Sequence, residues 1–90
     1  MRKAEYKIPG GKLIAVELVL INGVLGSVKL YGDFFMHPEE SIIELEKRLE
    51  GINQKEIEKS VKDFFDTHEI TLFGIKPEDF IHVIETALQN

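Results

Sequence analysis

Four side chains able to exchange protons or ligate a metal, Asp33, His37, Glu39 and Glu40, crowd into Tyr31-Gly32-Asp33-Phe34-Phe35-Met36-His37-Pro38-Glu39-Glu40-Ser41 (YGDFFMHPEES). Inside a cleft, paired carboxylates with an imidazole would do acid–base work or hold a divalent ion. Metal sites need several converging ligands, and no second His stands at a helical spacing from His37. The helix-start reading accounts for most of these groups. Pro38 suits a first helical position, Glu39 and Glu40 complement the dipole of a first turn, and His37 and Glu40 fall at cap-like and N3-like places.

Gly10-Gly11-Lys12 joins glycines, which bring backbone amides close to a ligand, to a cation, the combination used by phosphate-binding loops. Here it precedes a strand, lacks the Gly-x-x-x-x-Gly-Lys-Ser/Thr spacing and opens no helix, so a tight β-turn is the ordinary reading. His68 falls where the dipole at a helix C-terminus favours positive charge. His82 is spaced to meet Glu78 and Glu85 on a helix surface. Ser27, Ser41 and Ser60 lie in no nucleophile elbow, and Tyr6 and Tyr31 form no recognisable RNA-binding motif.

The elements that must position these residues can be read from periodicity. Residues 2–9 alternate, with Ala4, Tyr6 and Ile8 opposite Lys3, Glu5 and Lys7, as a half-buried strand does, and Pro9-Gly10-Gly11 ends it. Residues 13–21 and 24–31 form two more strands around Asn22-Gly23, with Ile14, Val16, Leu18 and Leu20 facing Val24, Val28 and Leu30. A two-residue turn would set Lys29 opposite Val16. A three-residue loop Ile21-Asn22-Gly23 avoids this by pairing Leu20 with Val24, Val16 with Val28, Ile14 with Leu30, Ala15 with Lys29 and Glu17 with Ser27, and is the predicted connection.

After Gly32 the period becomes helical. Ile42, Leu45 and Leu49 form a stripe that Gly51 is placed to end. A second helix opens with Asn53-Gln54-Lys55-Glu56, a capping-box-like spacing, buries Ile57, Val61, Phe64 and Phe65, and is predicted to stop near Thr67. Pro77-Glu78-Asp79 opens a last helix lined by Phe80, Ile81, Ile84, Ala87 and Leu88. Residues 69–75 (EITLFGI) fit a fourth strand or an extended connector equally well. The expected fold is α+β: one domain over residues 1–90, with a small antiparallel sheet of three strands, or four, covered on one face by three helices. The opposite face, with Leu13, Ala15, Val19, Leu25 and Tyr31 among Glu17 and Lys29, is apolar enough to be a docking surface.

Composition narrows the function classes. Ninety residues fit one small domain, which buries only about 60% of its unfolded surface and leaves little room for an enclosed active site. A shared cleft completed by a partner chain is therefore favoured. The chain has no Cys, which removes thiolate catalysis, thiolate metal sites and disulfides and fits a reducing compartment. No run approaches the ~18 apolar residues of a membrane helix and none has the pattern of a signal peptide, so a cytoplasmic location without membrane association is expected. The net charge of −5 disfavours binding to nucleic acid, although residues 1–12 hold Arg2, Lys3, Lys7 and Lys12 against Glu5 alone.

Taken together, Lys7-Ile8-Pro9-Gly10-Gly11-Lys12-Leu13, the hairpin at Asn22-Gly23, Gly32-Asp33-Phe34-Phe35 with His37-Pro38-Glu39-Glu40, and the helix ending at Leu49-Glu50-Gly51 resemble the small C-terminal domain of lipoate–protein ligases, in its separately encoded, archaeal-type form. Gly-Asp-Phe-Phe at a strand-to-helix turn is the most specific element. The resemblance covers nearly the whole chain, the C-terminal third in pattern only.

The resemblance implies an accessory subunit, not catalytic by itself. It would assemble with a catalytic subunit that uses ATP, Mg and lipoate to make lipoyl-adenylate and then lipoylates a lysine of an acceptor domain. It also implies a partner-facing or ligand-proximal role for Gly10, Gly11, Lys12, Asp33, Phe34, Phe35 and His37. Lys12 would approach the phosphates. Asp33 would cap local amides or pair with a partner cation, and of Phe34 and Phe35 one would anchor the helices while the other meets the partner or lipoate's aliphatic chain. Two other readings of the residues stand beside it: a regulatory or ligand-binding module unrelated to lipoylation, and an independent enzyme using the acidic corner.

Overall fold

The computed structural model describes residues 1–89. Three antiparallel strands, β1 (Arg2–Lys7), β2 (Leu13–Ile21) and β3 (Val24–Gly32), form a sheet in the order β1-β2-β3. They are followed by β4 (Phe35–His37), α1 (Ser41–Leu49), a 3₁₀ turn (Gln54–Glu56), α2 (Ile57–Thr67), β5 (Thr71–Phe73) and α3 (Pro77–Gln89). The fold is α+β, as the pattern predicts. The apolar stretch whose class periodicity leaves open contains β5, which pairs with β4 in a separate two-stranded ribbon and does not join the main sheet.

The core lies where the apolar faces meet. Helix α1 rests against β3, α3 against β1 and β2, and α2 packs on both helices. Ile14, Val16, Leu18, Val28 and Leu30 meet Leu45, Leu49, Val61, Phe64, Phe80 and Ile84, all buried. Polar contacts also tie the helices to the strands. The Glu46 carboxylate accepts the Leu30 N–H at 2.7 Å, which satisfies a backbone donor on the β3 edge, and Arg2 donates to the Leu88 carbonyl at 2.7 Å in the last turn of α3.

The hairpin departs from the predicted register. Asn22 (φ 51°) and Gly23 (φ 79°) form a two-residue turn of the primed type, which pairs Ile21 with Val24. Lys29 nevertheless stays off the core face, because the ladder shifts between Leu18 and Leu20. Leu20 pairs with Leu25 but Leu18 with Val28, so Val19 spans both Gly26 and Ser27 in a bulge. Val16 then meets Leu30, Ala15 meets Tyr31 and Glu17 meets Lys29, in place of the predicted partners. The same bulge changes which residues of β3 face inward. Leu25, read as outward, is buried, while Val24, read as core, is exposed.

Helix starts differ in a related way. Pro38 is not the first helical residue: it follows a cis peptide bond and belongs to a turn, in which Ser41 N–H bonds the Pro38 carbonyl before the helix proper opens at Ser41. Neither His37 nor Glu40 caps α1 through its side chain, His37 being in β4. Asn53 accepts the Lys55 N–H, but as the cap of the 3₁₀ turn; α2 opens at Ile57 without a side-chain cap from Glu56, while Gly51 (φ 87°) ends α1 in the left-handed region and donates to the Leu25 carbonyl at 2.7 Å. At α3 the Asp79 carboxylate accepts the Lys76 N–H at 2.8 Å.

Candidate functional site

The Gly-rich turn and the Gly-Asp-Phe-Phe turn meet in space. Gly10 (φ 105°) and Gly11 (φ 112°) occupy backbone conformations that side chains resist, and a Cβ on either would meet nothing, so backbone conformation is what requires glycine there. The turn is closed by Gly11 N–H to the Ile8 carbonyl at 3.0 Å and by Ile8 N–H to the Lys12 carbonyl at 2.7 Å. From the other strand, Asp33 accepts the Leu13 N–H on its carboxylate at 2.6 Å and donates its own N–H to the Leu13 carbonyl at 3.2 Å. Asp33 therefore fixes the residue next to Lys12. Gly32 permits the approach: a Cβ there would overlap the Leu13 carbonyl oxygen.

Of the adjacent phenylalanines, Phe34 turns inward and Phe35 outward. Phe34 is half-buried and meets Phe80 edge-on, with ring centroids 5.5 Å apart. Phe35 is 68% exposed and lies across the ribbon from Phe73, 59% exposed. Alternation puts their neighbours Met36 and Leu72 on the opposite face of the ribbon, with Met36 in the core. Sequence reasoning missed Phe73, although the run Thr71-Leu72-Phe73 carries the alternation once it is read as a strand. A groove of about 300 Å³ beside Phe35 is lined by Leu30, Tyr31, Gly32, Phe34, Met36, Glu39 and Ile42 as well.

The ribbon pairs two exposed rings, while on the sheet the exposed apolar residues are Tyr31 and, at the hairpin end, the pair Ile21 and Val24. On the sheet face Leu25 has turned inward and Ala15, between Glu5 and Tyr31, is buried. Tyr31 is exposed and donates its hydroxyl to Glu17 at 2.9 Å, and this hydrogen bond, followed by slight desolvation and the Glu17 charge, raises the phenol above its ordinary pKa.

The acidic corner does not assemble as chemistry. Asp33 is committed to Leu13, His37 faces Thr71 across the ribbon and is exposed, and Glu39 and Glu40 are exposed at the turn before α1. Among the described residues no group of three or more His, Asp and Glu is placed to hold a metal ion, so these side chains do not fit Mg. His68 follows the last turn of α2, with Nδ1 2.8 Å from the Phe64 carbonyl oxygen and Nε2 3.6 Å from Glu44. His82 instead packs its ring on Tyr6, centroids 4.2 Å apart.

Lys12 is half-buried, and its stem lies across Gly74, the residue that follows Phe73. One end of the molecule thus presents the Gly-rich turn, Lys12, the Asp33 turn and the Phe35–Phe73 ribbon together. No helix is long and apolar enough to cross a membrane among the described residues.

Comparison with known proteins gives this arrangement a family. The family model described as bacterial lipoate protein ligase C-terminus matches residues 2–84. Lipoate-protein ligase A subunit 2 of Thermoplasma acidophilum is 40% identical over 72 residues, 80% of this chain and 76% of the relative. A chain from the solved structure of an archaeal bi-partite lipoate protein ligase and its E2 lipoyl domain, also from Thermoplasma acidophilum, superposes with a TM-score of 0.86. It is 34% identical, and the match covers 93% of this chain and 94% of that one. This chain therefore belongs to the lipoate protein ligase C-terminal family.

Proposed function

We propose that the chain is the accessory subunit of a two-chain lipoate–protein ligase and supports ATP-dependent activation of lipoate by a separate catalytic subunit. The observation that carries this is correspondence of the whole fold with a chain of a bi-partite ligase, near end to end on both sides. In the reaction so supported, a lipoate carboxylate oxygen attacks the α-phosphorus of ATP, pyrophosphate leaves, and lipoyl-adenylate forms. An acceptor lysine amine then displaces AMP at the carbonyl and loses a proton. ATP, Mg and lipoate would be bound in the assembled ligase, the ion supplying positive charge that none of the described side chains of this chain is placed to hold. An ATP-consuming reaction fits the cytoplasm.

The chain's own contribution is a surface and one cation. Phe35 and Phe73 dock on the catalytic subunit, Phe34 anchors the turn to α3, and His37 and Asp33 flank the contact. Gly10 and Gly11 shape the turn that brings Lys12 to the nucleotide, where its ammonium opposes charge building on the leaving pyrophosphate. Phe35→Ala tests the docking role. The variant keeps its helical circular dichroism but binds a lipoate-ligase catalytic domain lacking its C-terminal portion at least about tenfold more weakly, a central aromatic being worth roughly 2 kcal/mol in an interface. Unchanged affinity would remove Phe35 from the interface.

A further inference from the structure

We infer that Gly74 is a positioning residue for Lys12. This rests on the reading just given, in which Lys12 acts on lipoate activation. A Cβ built on Gly74 would lie 2.6 Å from Lys12 Cγ, 3.2 Å from Cδ and 3.0 Å from Cε, so the stem runs along the glycine for most of its length. Cγ is one bond from the Lys12 Cβ. It can clear a Cβ only by turning about the Cα–Cβ bond or by a backbone shift, so any side chain at position 74 moves the whole stem and its ammonium.

The two partners reach this contact from opposite sides. Lys12 is held by the Gly10–Gly11 turn and, through Leu13, by Asp33; Gly74 (φ 79°) is held by β5 before it and by α3 from Pro77 after it. The contact is thus a bearing between the Gly-rich turn and the ribbon that carries Phe73. A groove of about 290 Å³ lined by Ile8, Pro9, Gly74, Ile75, Lys76 and Asp79 runs beside it, open to solvent. A long cation free to sample that groove would lose orientation. Laid across a flat glycine, it is confined to one path, which is how positioning enters a rate.

A side chain at position 74 acts in two separable ways: it displaces Lys12, and it strains a backbone at φ 79°. A double-mutant cycle separates them, because strain persists when Lys12 is truncated and displacement does not. Pyrophosphate release is measured with ATP and lipoate in the assembled two-chain ligase for Lys12→Ala, Gly74→Ala and the double variant. Titration calorimetry of the two chains accompanies it. Gly74→Asn repeats the cycle with a residue that tolerates the left-handed region and carries the same Cβ.

The expected result is that each single variant lowers kcat by about tenfold or more while assembly affinity is unchanged, and that the double variant is no slower than Lys12→Ala. If Lys12→Ala is slow but Gly74→Ala and Gly74→Asn both turn over normally, or if the losses multiply in the double variant, Gly74 does not act through Lys12 and the inference is overturned. If Lys12→Ala itself keeps the full rate, the underlying reading of Lys12 fails, and the inference with it.

Discussion

At the level of single residues, the site depends on backbone approach more than on reactive side chains. Gly32 is tightly constrained: a methyl at this position overlaps the Leu13 carbonyl and crowds Phe34 and Ile14. Gly32→Ala is expected to cost about 3 kcal/mol, at the upper end of overpacking costs, read as a lower denaturant midpoint in urea. Phe34→Ala loses a half-buried ring and its edge contact with Phe80, about 2 kcal/mol, below the 3–5 kcal/mol of a fully buried Phe. Phe35→Ala changes stability by less than ~0.5 kcal/mol. Equal destabilisation by the two would contradict the opposite orientations assigned here.

The Tyr31–Glu17 pair gives a test at the same scale. Because the folded-state pKa of Tyr31 is raised, the pair's contribution is fully present below the ordinary tyrosine pKa and is lost as pH rises through the folded value. In a Tyr6→Phe background, ultraviolet titration should show the remaining phenol ionising above its ordinary range, and Glu17→Gln should bring it down. That one Phe faces in and its neighbour out follows from alternation, so this was legible in the sequence. Which of the two faces in was not, because it depends on Phe80, a long-range partner. The contact between Lys12 and Gly74 was hidden for the same reason.

At the level of elements, the strands and helices follow their periodicity, and the failures share one cause. The expected three-residue loop presupposes an unbroken ladder, in which a two-residue turn sets Lys29 opposite Val16. The bulge at Gly26 and Ser27 breaks it. Gly26 is the place for it, since a Cβ there would come within 3.3 Å of the Val19 Cβ. An alternating pattern does not announce a bulge when the residues on both sides are apolar, as Val24 and Leu25 are. Deleting Ser27 should leave a regular ladder with Leu25 and Val28 still facing the core. That variant folds, whereas deleting Lys29 forces an apolar residue outward or Ser27 inward and costs roughly 3 kcal/mol or more. Thermal melts of both deletions decide this, and the opposite ranking would contradict the assigned bulge.

Residues 69–75 were ambiguous for a different reason. A three-residue strand is too short to show a period, and β5 exists because β4 offers it a partner. Short strands of this kind are tertiary features. Their consequence for function is direct, because the ribbon is what brings Phe73 beside Phe35.

At the level of the molecule, the sheet and helices form a small platform whose open end carries the ribbon, the Gly-rich turn and Lys12. Its chemical inventory is sparse, and the acidic corner that first suggested chemistry is spent on a backbone contact and a turn. The proposed function accordingly rests on assembly with a catalytic subunit. The most direct test mixes the purified chain with a lipoate-ligase catalytic subunit lacking its C-terminal portion, ATP and lipoate, and follows lipoyl-adenylate formation. The account predicts adenylate only when both chains are present, at a rate that saturates with the added chain. Adenylate formed as fast without it, or no activity with a complex demonstrably formed, would contradict the account.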